Sequence, residues 1–386
     1  MKDRASGIPA VPKLFHMILD QKFIDNAISI FDSLPGIENE YLLVSRSGRF
    51  SLINARERVS VFKSQFACLR YILGRHPDII LFHSLFFGAS LVPFVSRNTA
   101  LVWISWGQDL YKDEAEVFAS SYPFRHSLFM PETRKWKQSR KASIKGRLRK
   151  SAKAFVRNLL RSRAIRRIQY MSTCLPYEYP VVRDIYPHLK PFYFDYIDKP
   201  GTVLPRCNGF NILVGNSASL NCNHLDIITA LSECRVKGEK IVVPLSYAGG
   251  DEYRAAVISE GKRVFGEKFK PLTQFMTIDE YAEILRSCGF AVMGFLRQQA
   301  TKNIQLLLHQ GTKVFFYRNT DIFRFFKNSG YVVFSIEDNL NDAVLSSLLS
   351  DTEVQRNRTL LDEHFNYGDN LRKVEDSVWT ILEGSG

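Results

Sequence analysis

The sequence lacks the features that mark several common classes of protein. It has only 6 cysteines in 386 residues, and none of them forms a C-x-x-C pair or stands beside a histidine cluster. This usage argues against a disulfide framework or a cysteine zinc site and favours a reduced cytosolic chain. Residues 1–13 are polar and contain no apolar stretch, so we predict no secretory signal peptide.

Long hydrophobic runs are scarce as well. Residues 79–95 carry no charge, but they include Gly88 and Pro93 and are at the short limit for a membrane span. We interpret them as a buried strand followed by a turn and the start of a helix. With 45% hydrophobic residues and 13% aromatics in 386 residues, the chain can build two or three well-packed domains.

Acidic residues are missing from one segment, residues 134–167, which contains fifteen lysines and arginines. Since the formal net charge of the whole chain is +13, the rest of the chain is close to neutral. Apolar residues recur at helical spacing within this segment, which is typical of a basic amphipathic element on an anionic membrane or a lipid pyrophosphate. Nucleic acid, or a solvated helix without a partner, is the alternative. The candidate membrane-binding residues are Trp136, Arg140, Lys141, Lys145, Arg147, Arg149 and Lys150.

Strand and helix patterns alternate along the chain and predict an α/β fold with two doubly wound parallel sheets. The predicted domains are 1–200, with the basic segment inserted, and 201–364, followed by a helix in 365–386 that can pack back on the first domain. Predicted strands are 13–19, 41–45, 78–82, 101–105, 169–174 and 192–196, and then 211–215, 241–245, 272–275, 291–295, 314–317 and 332–335.

Three turns in the second domain follow predicted strands, where ligands of such sheets bind. Gly215, Asn216 and Ser217 lie between a strand and a helix, so backbone N–H groups and the helix dipole can face an anion. This turn is neither a G-x-G-x-x-G nor a Walker motif, and a plain βα turn is the alternative. Pro244, Ser246 and Tyr247 end the next strand, and the Tyr247 ring can stack on a nucleotide base or simply cover the core.

The third turn contains Arg297, Gln298, Gln299, Thr301, Lys302 and Asn303. Cations and helix N–H groups here can neutralise a phosphate-bearing ligand, including one that gains negative charge during a reaction. The chain contains no Asp-x-Asp pair, so we predict no metal and no cofactor. Surface salt bridges are the alternative role for these cations.

Two polar residues follow strands in the first domain and are candidates for a general base. Asp109 is the first choice and His83 the second, because each side chain can take the proton of a hydroxyl nucleophile. A helix cap is the alternative role for Asp109, and a buried, satisfied histidine is the alternative for His83. Spacing does not decide whether the reaction needs a base.

Four blocks, at 103–111, 212–217, 240–247 and 295–299, resemble the bacterial dTDP-N-acetylfucosamine:lipid II N-acetylfucosaminyltransferases, the 4-alpha-L-fucosyltransferases of glycosyltransferase family 56. The resemblance runs from about residue 13 to 339. Residues 300–303 differ from the Gly-rich turn of the family, and the basic segment is longer.

The resemblance implies a GT-B architecture with two Rossmann-like domains across a cleft, a nucleotide-sugar donor and a polyprenyl-pyrophosphate-linked saccharide acceptor. It also implies a peripheral place on the cytoplasmic face of the bacterial inner membrane, in the synthesis of a polysaccharide like enterobacterial common antigen. No nucleic-acid partner is expected. A UDP-hexose-dependent transferase with another acceptor, or a non-catalytic basic module for nucleic acid or anionic lipid, is the alternative.

Overall fold

The structure is a computed structural model that describes residues 11–21, 23–111, 128–140, 159–197, 205–235 and 239–384. Within these residues the strands form one seven-stranded and one six-stranded sheet, and all of the strand pairs are parallel. The predicted α/β class with two doubly wound sheets is confirmed. One compact unit comprises Met1–Asp113, Ile144–Gly201 and Asn366–Gly386; the other comprises Glu114–Ser143 and Thr202–Phe365.

The sheet of the first unit has the strand order β3-β2-β1-β4-β5-β6-β7. Its strands are β1 (Lys13–Ile18), β2 (Glu38–Val44), β3 (Val59–Phe62), β4 (Ile79–His83), β5 (Ala100–Ile104), β6 (Tyr170–Ser172) and β7 (Lys190–Pro191). Its helices are α1 (Ile24–Phe31), α2 (Gln65–Arg75), α3 (Leu85–Gly88), α4 (Gln108–Tyr111), α6 (described over residues 159–167), α7 (Glu178–Ile185) and α15 (Tyr367–Glu383).

Helices cover both faces of this sheet because alternate strand residues are apolar on each side. On one face, Leu14 and Leu81 share a core cluster with α1 and with Val374 and Val378 of α15. On the other face, Cys68 of α2 lies 3.9 Å from Met17, measured between the two sulfur atoms. Both faces of the central strands are therefore buried, which explains their nearly continuous apolar sequence.

Two strand predictions in this unit need correction. The edge strand β3 has no counterpart among the predicted strands. Residues 192–196, predicted as a strand, follow the two-residue β7 and belong to no strand. Phe192, Phe194 and Tyr196 nevertheless pack in the core cluster. The alternating pattern therefore predicted correctly which residues are buried, although these residues form no strand.

The second unit has the strand order β10-β9-β8-β11-β12-β13. Its strands are β8 (Ile212–Val214), β9 (Ile241–Pro244), β10 (Phe269–Leu272), β11 (Phe290–Met293), β12 (Lys313–Phe316) and β13 (Phe334–Ser335). Its helices are α5 (Pro131–Ser139), α8 (His224–Ser232), α9 (Asp251–Phe265), α10 (Ile278–Arg286), α11 (Thr301–Gln310), α12 (Asp321–Asn328), α13 (Ile336–Asn339) and α14 (Asp351–His364). The edge strand β10 lies three residues earlier than predicted.

The basic segment 134–167 is not one element inserted in the first unit, and this prediction is corrected. Its beginning forms most of α5, which clusters with the second unit, whereas its end forms α6 of the first unit. The helix α5 docks there because Asp226 of α8 caps it, accepting from the backbone N of Glu132 (2.7 Å) and of Thr133 (3.0 Å). Residues 141–158 lie outside the described residues.

The uncharged run 79–95 folds as predicted, into β4, the short helix α3 and a 3-10 turn at Val92–Phe94. Among the described residues, no helix combines the length and the apolar character needed to cross a membrane.

Candidate functional site

The three predicted turns of the second unit follow the adjacent parallel strands β9, β8 and β11. Because these strands run in one direction, the turns meet at the same edge of the sheet. The backbone N of Ala218 donates to the carbonyl of Tyr247 at 2.9 Å, and Gly249 packs so closely on Ala218 that a Cβ atom would meet its carbonyl oxygen at 2.0 Å. The structure thus brings the three predicted segments together.

Asn216 joins all three turns through its side chain. Its Oδ1 accepts from Gln299 Nε2 at 3.0 Å, and its Nδ2 donates to the Tyr247 hydroxyl oxygen at 3.1 Å. The thiol of Cys222 also donates to Asn216 Oδ1, at 3.4 Å. Asn216 and Ser217 are both buried. The network is therefore not a flexible surface contact, and it fixes the arrangement of the three loops.

Gly215 occupies a position that other residues would not tolerate. Its φ is +65°, and a Cβ atom there would lie 3.0 Å from His224 Nε2 and 3.1 Å from the Cβ of Cys222. His224 is fully buried, and its Nε2 has no hydrogen-bond partner, while its Nδ1 lies 3.4 Å from the Tyr253 hydroxyl. Burial lowers the pKa of His224 to about 3, so the imidazole is neutral at physiological pH.

The turn after β11 leads into a helix start without a side-chain cap. Ala300 is the N-cap of α11 and has a left-handed backbone (φ 58°), which favours glycine. Gln298 Nε2 donates to Thr301 Oγ1 at 2.6 Å, and Arg297 Nη1 donates to the carbonyl of Gln298 at 2.7 Å. The Oε1 atoms of Gln298 and Gln299 are buried without a hydrogen-bond partner, so each is an acceptor ready for a donor group.

The remaining predicted residues lie around this network. Lys302 and Asn303 are half-buried in the first turn of α11. Pro244 is buried as the last residue of β9, and Ser246 is half-buried just after it. The Tyr247 ring is exposed and stacks on Phe275, with 6.4 Å between ring centroids and 26° between ring planes.

Asp109, the predicted base of the first unit, is buried and fully engaged. Its Oδ2 accepts from Trp103 Nε1 at 2.7 Å and from the backbone N of Leu85 at 3.0 Å, and its Oδ1 accepts from the backbone N of Trp106 at 2.8 Å. The carboxylate thus ties the end of β5 to the start of α3. These contacts are those of a structural cap, and a role as the base stays a prediction.

His83, the second candidate, belongs to a buried chain of hydrogen bonds. His83 Nδ1 lies 2.6 Å from the Tyr196 hydroxyl, and its Nε2 lies 3.1 Å from His16 Nδ1. His16 Nε2 lies 3.1 Å from Asn39 Oδ1, while Asn39 Nδ2 donates to the carbonyl of Phe31 at 2.8 Å. At the other end, Trp106 Nε1 donates to the Tyr196 hydroxyl oxygen at 2.8 Å.

The Phe31 carbonyl sets the direction of this chain. It can only accept, so Asn39 points its amide NH₂ there and its Oδ1 at His16, which must donate from Nε2. His16 Nδ1 is then the acceptor of His83 Nε2–H, and His83 Nδ1 accepts the Tyr196 proton. Burial lowers the pKa of His16 to about 4 and, together with the neighbouring His16, lowers the pKa of His83 well below its ordinary value. Both imidazoles are neutral.

Sequence reasoning missed several members of these networks. His16 lies on the first strand and Tyr196 near the end of the unit's last strand region, so 180 residues separate two links of one chain. No local pattern signals such a pair. Cys222 and His224 stand next to the predicted turn, and a polar residue at a helix start was the available signal. Among the described residues, no group of three or more His, Cys, Asp or Glu side chains could hold a metal ion.

The candidate membrane residues have mixed fates. Trp136 is half-buried and packs against Tyr253 beside the second unit's core, with 5.0 Å between the ring centroids, and its membrane role stays a prediction. Arg140 is exposed and lies 3.0 Å from Glu252. The five others, Lys141, Lys145, Arg147, Arg149 and Lys150, lie outside the described residues.

Residues 198–364 match the family model of the 4-alpha-L-fucosyltransferases, glycosyl transferase group 56. Over these residues the chain is similar to the family 56 glycosyltransferases. The match confirms the resemblance found in the sequence, and with it the enzyme class of a glycosyltransferase that uses a nucleotide-sugar donor.

Solved structures of other glycosyltransferases share the fold of this transferase. Anabaena HepE in complex with UDP-glucose covers 97% of the chain and 99% of its own length, with a TM-score of 0.59 at 12% identity. Sucrose-phosphate synthase from Thermosynechococcus elongatus covers 97% and 100%, with 0.63 at 8% identity. The lipopolysaccharide outer core galactosyltransferase WaaB covers 97% and 98%, with 0.51 at 8% identity. These likenesses confirm the GT-B fold class.

Proposed function

We propose that this transferase moves a deoxy-amino sugar from a dTDP-linked donor onto a polyprenyl-pyrophosphate-linked saccharide at the cytoplasmic face of a bacterial membrane. The observation that carries the donor part is the Asn216 network, which assembles three strand-end turns beside the N-terminus of α11. The family match supports transfer of a fucose-type sugar, and the resemblance found in the sequence suggests the lipid-linked acceptor.

The donor pyrophosphate fits beside the N-terminus of α11. The helix dipole and the first-turn amides favour an anion there. The methyl side chain of Ala300 cannot accept a hydrogen bond from these amides, so they are not capped by it. Arg297 and Lys302 add two positive charges to the same turn. As the glycosidic bond breaks, the leaving nucleoside diphosphate gains negative charge, and groups fixed in advance at this position stabilise that charge most effectively.

The base and ribose fit the other end of the site, toward β9. The exposed Tyr247 ring offers a stacking surface, and Asn216 holds its hydroxyl. Buried acceptors at Gln298 and Gln299 suit donor groups such as ribose hydroxyls or a base N–H. A solved relative, HepE, binds UDP-glucose on the same fold.

The acceptor part of the proposal includes the base. We keep Asp109 as the proposed base, with His83 as the second candidate, and either residue must first give up a hydrogen bond described above. An anionic bilayer then supplies the lipid-linked saccharide.

Calorimetry with dTDP, UDP and GDP tests the donor part. We expect dTDP to bind most tightly, and Arg297→Ala to weaken binding by roughly 1.5–3 kcal/mol because a charge-assisted contact is lost. Lys327→Ala, an exposed cation at the end of α12, is the matched control and should bind as the unchanged chain does. If Arg297→Ala binds dTDP and UDP as tightly as the unchanged chain does, Arg297 is not part of the site.

A further inference from the structure

We propose that one helix layer of the first unit is the surface that lies on an anionic bilayer. The layer consists of α2, residues 85–97 and α6, and we call it the α2–α6 face. The proposal rests on the peripheral membrane place proposed above and names the part of the protein that makes the contact.

Large apolar side chains protrude from this layer. Phe66 in the first turn of α2 is 76% exposed, and Phe94 in the 3-10 turn is 63% exposed. Leu73 of α2 and Leu159 of α6 are exposed as well. Phe66 and Leu73 are seven residues apart, so they project from the same side of α2. A phenylalanine left largely in water loses the free energy that its burial would give, which favours a surface that covers it.

Hydrogen bonds join the three segments into one layer. Ser90 Oγ donates to Gln65 Oε1 of α2 at 2.8 Å. Arg167 of α6 donates from Nη2 to the carbonyl of Ser96 at 2.7 Å. The guanidinium carbon of Arg161 lies 5.4 Å from the ring centroid of Trp103, on the side of the sheet opposite α1 and α15.

The charge of this layer is of one sign. Residues 63–75, 79–97 and 159–167 contain no aspartate or glutamate. Exposed cations stand among the apolar groups, and they are Lys63, Arg70, Arg75, Arg97, Arg163 and Arg166. Arg75 alone among these lies within 4 Å of a carboxylate in the described residues, 3.8 Å from Glu40 of β2.

The opposite layer has the reverse character. Helix α15 carries Asp369, Glu375, Asp376 and Glu383 against Arg372 and Lys373. Residues 24–32, which include α1, add Asp25 and Asp32. The two faces of one sheet therefore differ in charge, and only the α2–α6 face complements anionic headgroups.

The mixture of groups favours a bilayer as the partner. Phenylalanines separated by arginines suit an interface where rings enter the acyl boundary and cations stay with the headgroups. An anionic leaflet attracts cations held near its surface, and this attraction falls as salt rises.

Vesicle co-sedimentation tests the apolar part. The intact chain is mixed with phosphatidylcholine vesicles, with and without phosphatidylglycerol. We expect binding only to the anionic vesicles, weakened about tenfold by Phe66→Ser and again by Phe94→Ser. Tyr193→Ser is the matched control: it is 59% exposed in the same unit but lies beside α15, where its backbone N donates to Ser377 Oγ. This control should bind as before, and all variants should keep their affinity for dTDP.

A second pair of variants tests the charge. Arg70→Gln with Arg97→Gln should weaken binding to the anionic vesicles several-fold and reduce its salt dependence. Lys373→Gln on α15 should change neither. Equal losses from Lys373→Gln and from the arginine pair would show that net charge, and not this face, governs binding.

A third variant distinguishes the α2–α6 face from residues 141–158 of the basic segment. In this variant a Gly/Ser linker of equal length replaces residues 141–158. We expect this chain to retain binding that still responds to Phe66→Ser. If the linker abolishes binding to anionic vesicles, and neither Phe66→Ser nor Phe94→Ser weakens it, the α2–α6 face is not the contact surface. The membrane proposal itself would still stand. No binding of the intact chain to anionic vesicles would overturn both, although nucleotide affinity would be unaffected. A lipid-free dimer that Phe66→Ser dissociates, with vesicle binding unchanged, would assign the face to a second copy instead.

Discussion

Acid should destabilise the first unit through the buried pair His16 and His83. Both imidazoles are neutral in the fold, and the direction of the chain leaves no site for a further proton. A proton on His16 Nδ1 would point at His83 Nε2–H, so one hydrogen bond breaks or the whole chain reverses. The folded state therefore binds fewer protons than the unfolded state below the ordinary histidine pKa.

The size of the effect follows from the pKa of His16, which falls from 6.5 to about 4. Stability is fully present above the unfolded value of 6.5 and is lost as the pH falls toward about 4. One proton corresponds to about 1.4 kcal/mol per pH unit, so His16 alone contributes about 3 kcal/mol over this range. His83, whose pKa is lowered in the same direction, adds to the slope.

Urea unfolding followed by tryptophan fluorescence measures this slope. In a Trp136→Phe background the remaining tryptophans, Trp103, Trp106 and Trp379, all belong to the first unit. His83→Gln should reduce the slope by about one proton, since glutamine can still accept from Tyr196 and donate to His16 but does not titrate.

His188→Gln, at an exposed histidine of the same unit, is the control and should leave the slope unchanged. A free energy of unfolding that is flat between about pH 7 and about pH 5 would refute the neutral chain, as would equal slopes in the His83 variant and its parent.

Two further predictions concern the buried networks. Asp109→Asn puts an amide N–H₂ against one of three N–H donors, so we expect about 1–3 kcal/mol lower stability of the first unit. Because the variant cannot accept a proton, we also expect turnover to fall by about a hundredfold or more. A loss of stability with turnover reduced only a few-fold would make Asp109 a structural cap and not the base. Asn216→Ala breaks the contacts to Gln299 and Tyr247, and calorimetry should show about tenfold weaker dTDP binding; Ser232→Ala, at the far end of α8, should not alter it. Full affinity in the Asn216 variant would show that the turns assemble without it.

The sequence predicted the fold best where strands are central and buried. Residues 211–215 and 291–295 closely match β8 and β11, because strands covered on both faces are continuously apolar. Edge elements were missed or shifted. The edge strand β3 is only four residues long and largely half-exposed, and β10 contains Pro271, which an edge strand tolerates.

Helix α14 was missed for a different reason. It buries only Val354, Asn357 and Leu361 among fourteen residues, so its hydrophobic stripe is weak. Just before this helix the structure has only a 3-10 turn, at Val344–Ser346. A capping box between Ser350 and Glu353 was the readable signal, since it satisfies two orphan backbone N–H groups at a helix start.

In the candidate site too, the sequence predicted some features and not others. Strand-end turns can be located from the sequence because every parallel strand ends at one edge, and the three turns of the proposed donor site were located in this way. The hydrogen-bond partners of each side chain cannot be predicted from the positions of the strand ends. Asp109 and His83 were chosen for their positions, and only the structure shows that Trp103, Tyr196 and His16 occupy their polar atoms.

The docking of α5 determines how this protein can be dissected. A gene fragment encoding only 202–365 would omit Glu114–Ser143, which belong to the same compact unit. It would uncover the surface beneath Trp136 and leave the Asp226 carboxylate without the helix that it caps. Neither half of the transferase is thus a contiguous cassette. Domain exchange with relatives, isotope labelling of single domains and split-protein designs must carry the 114–143 excursion along with the second unit.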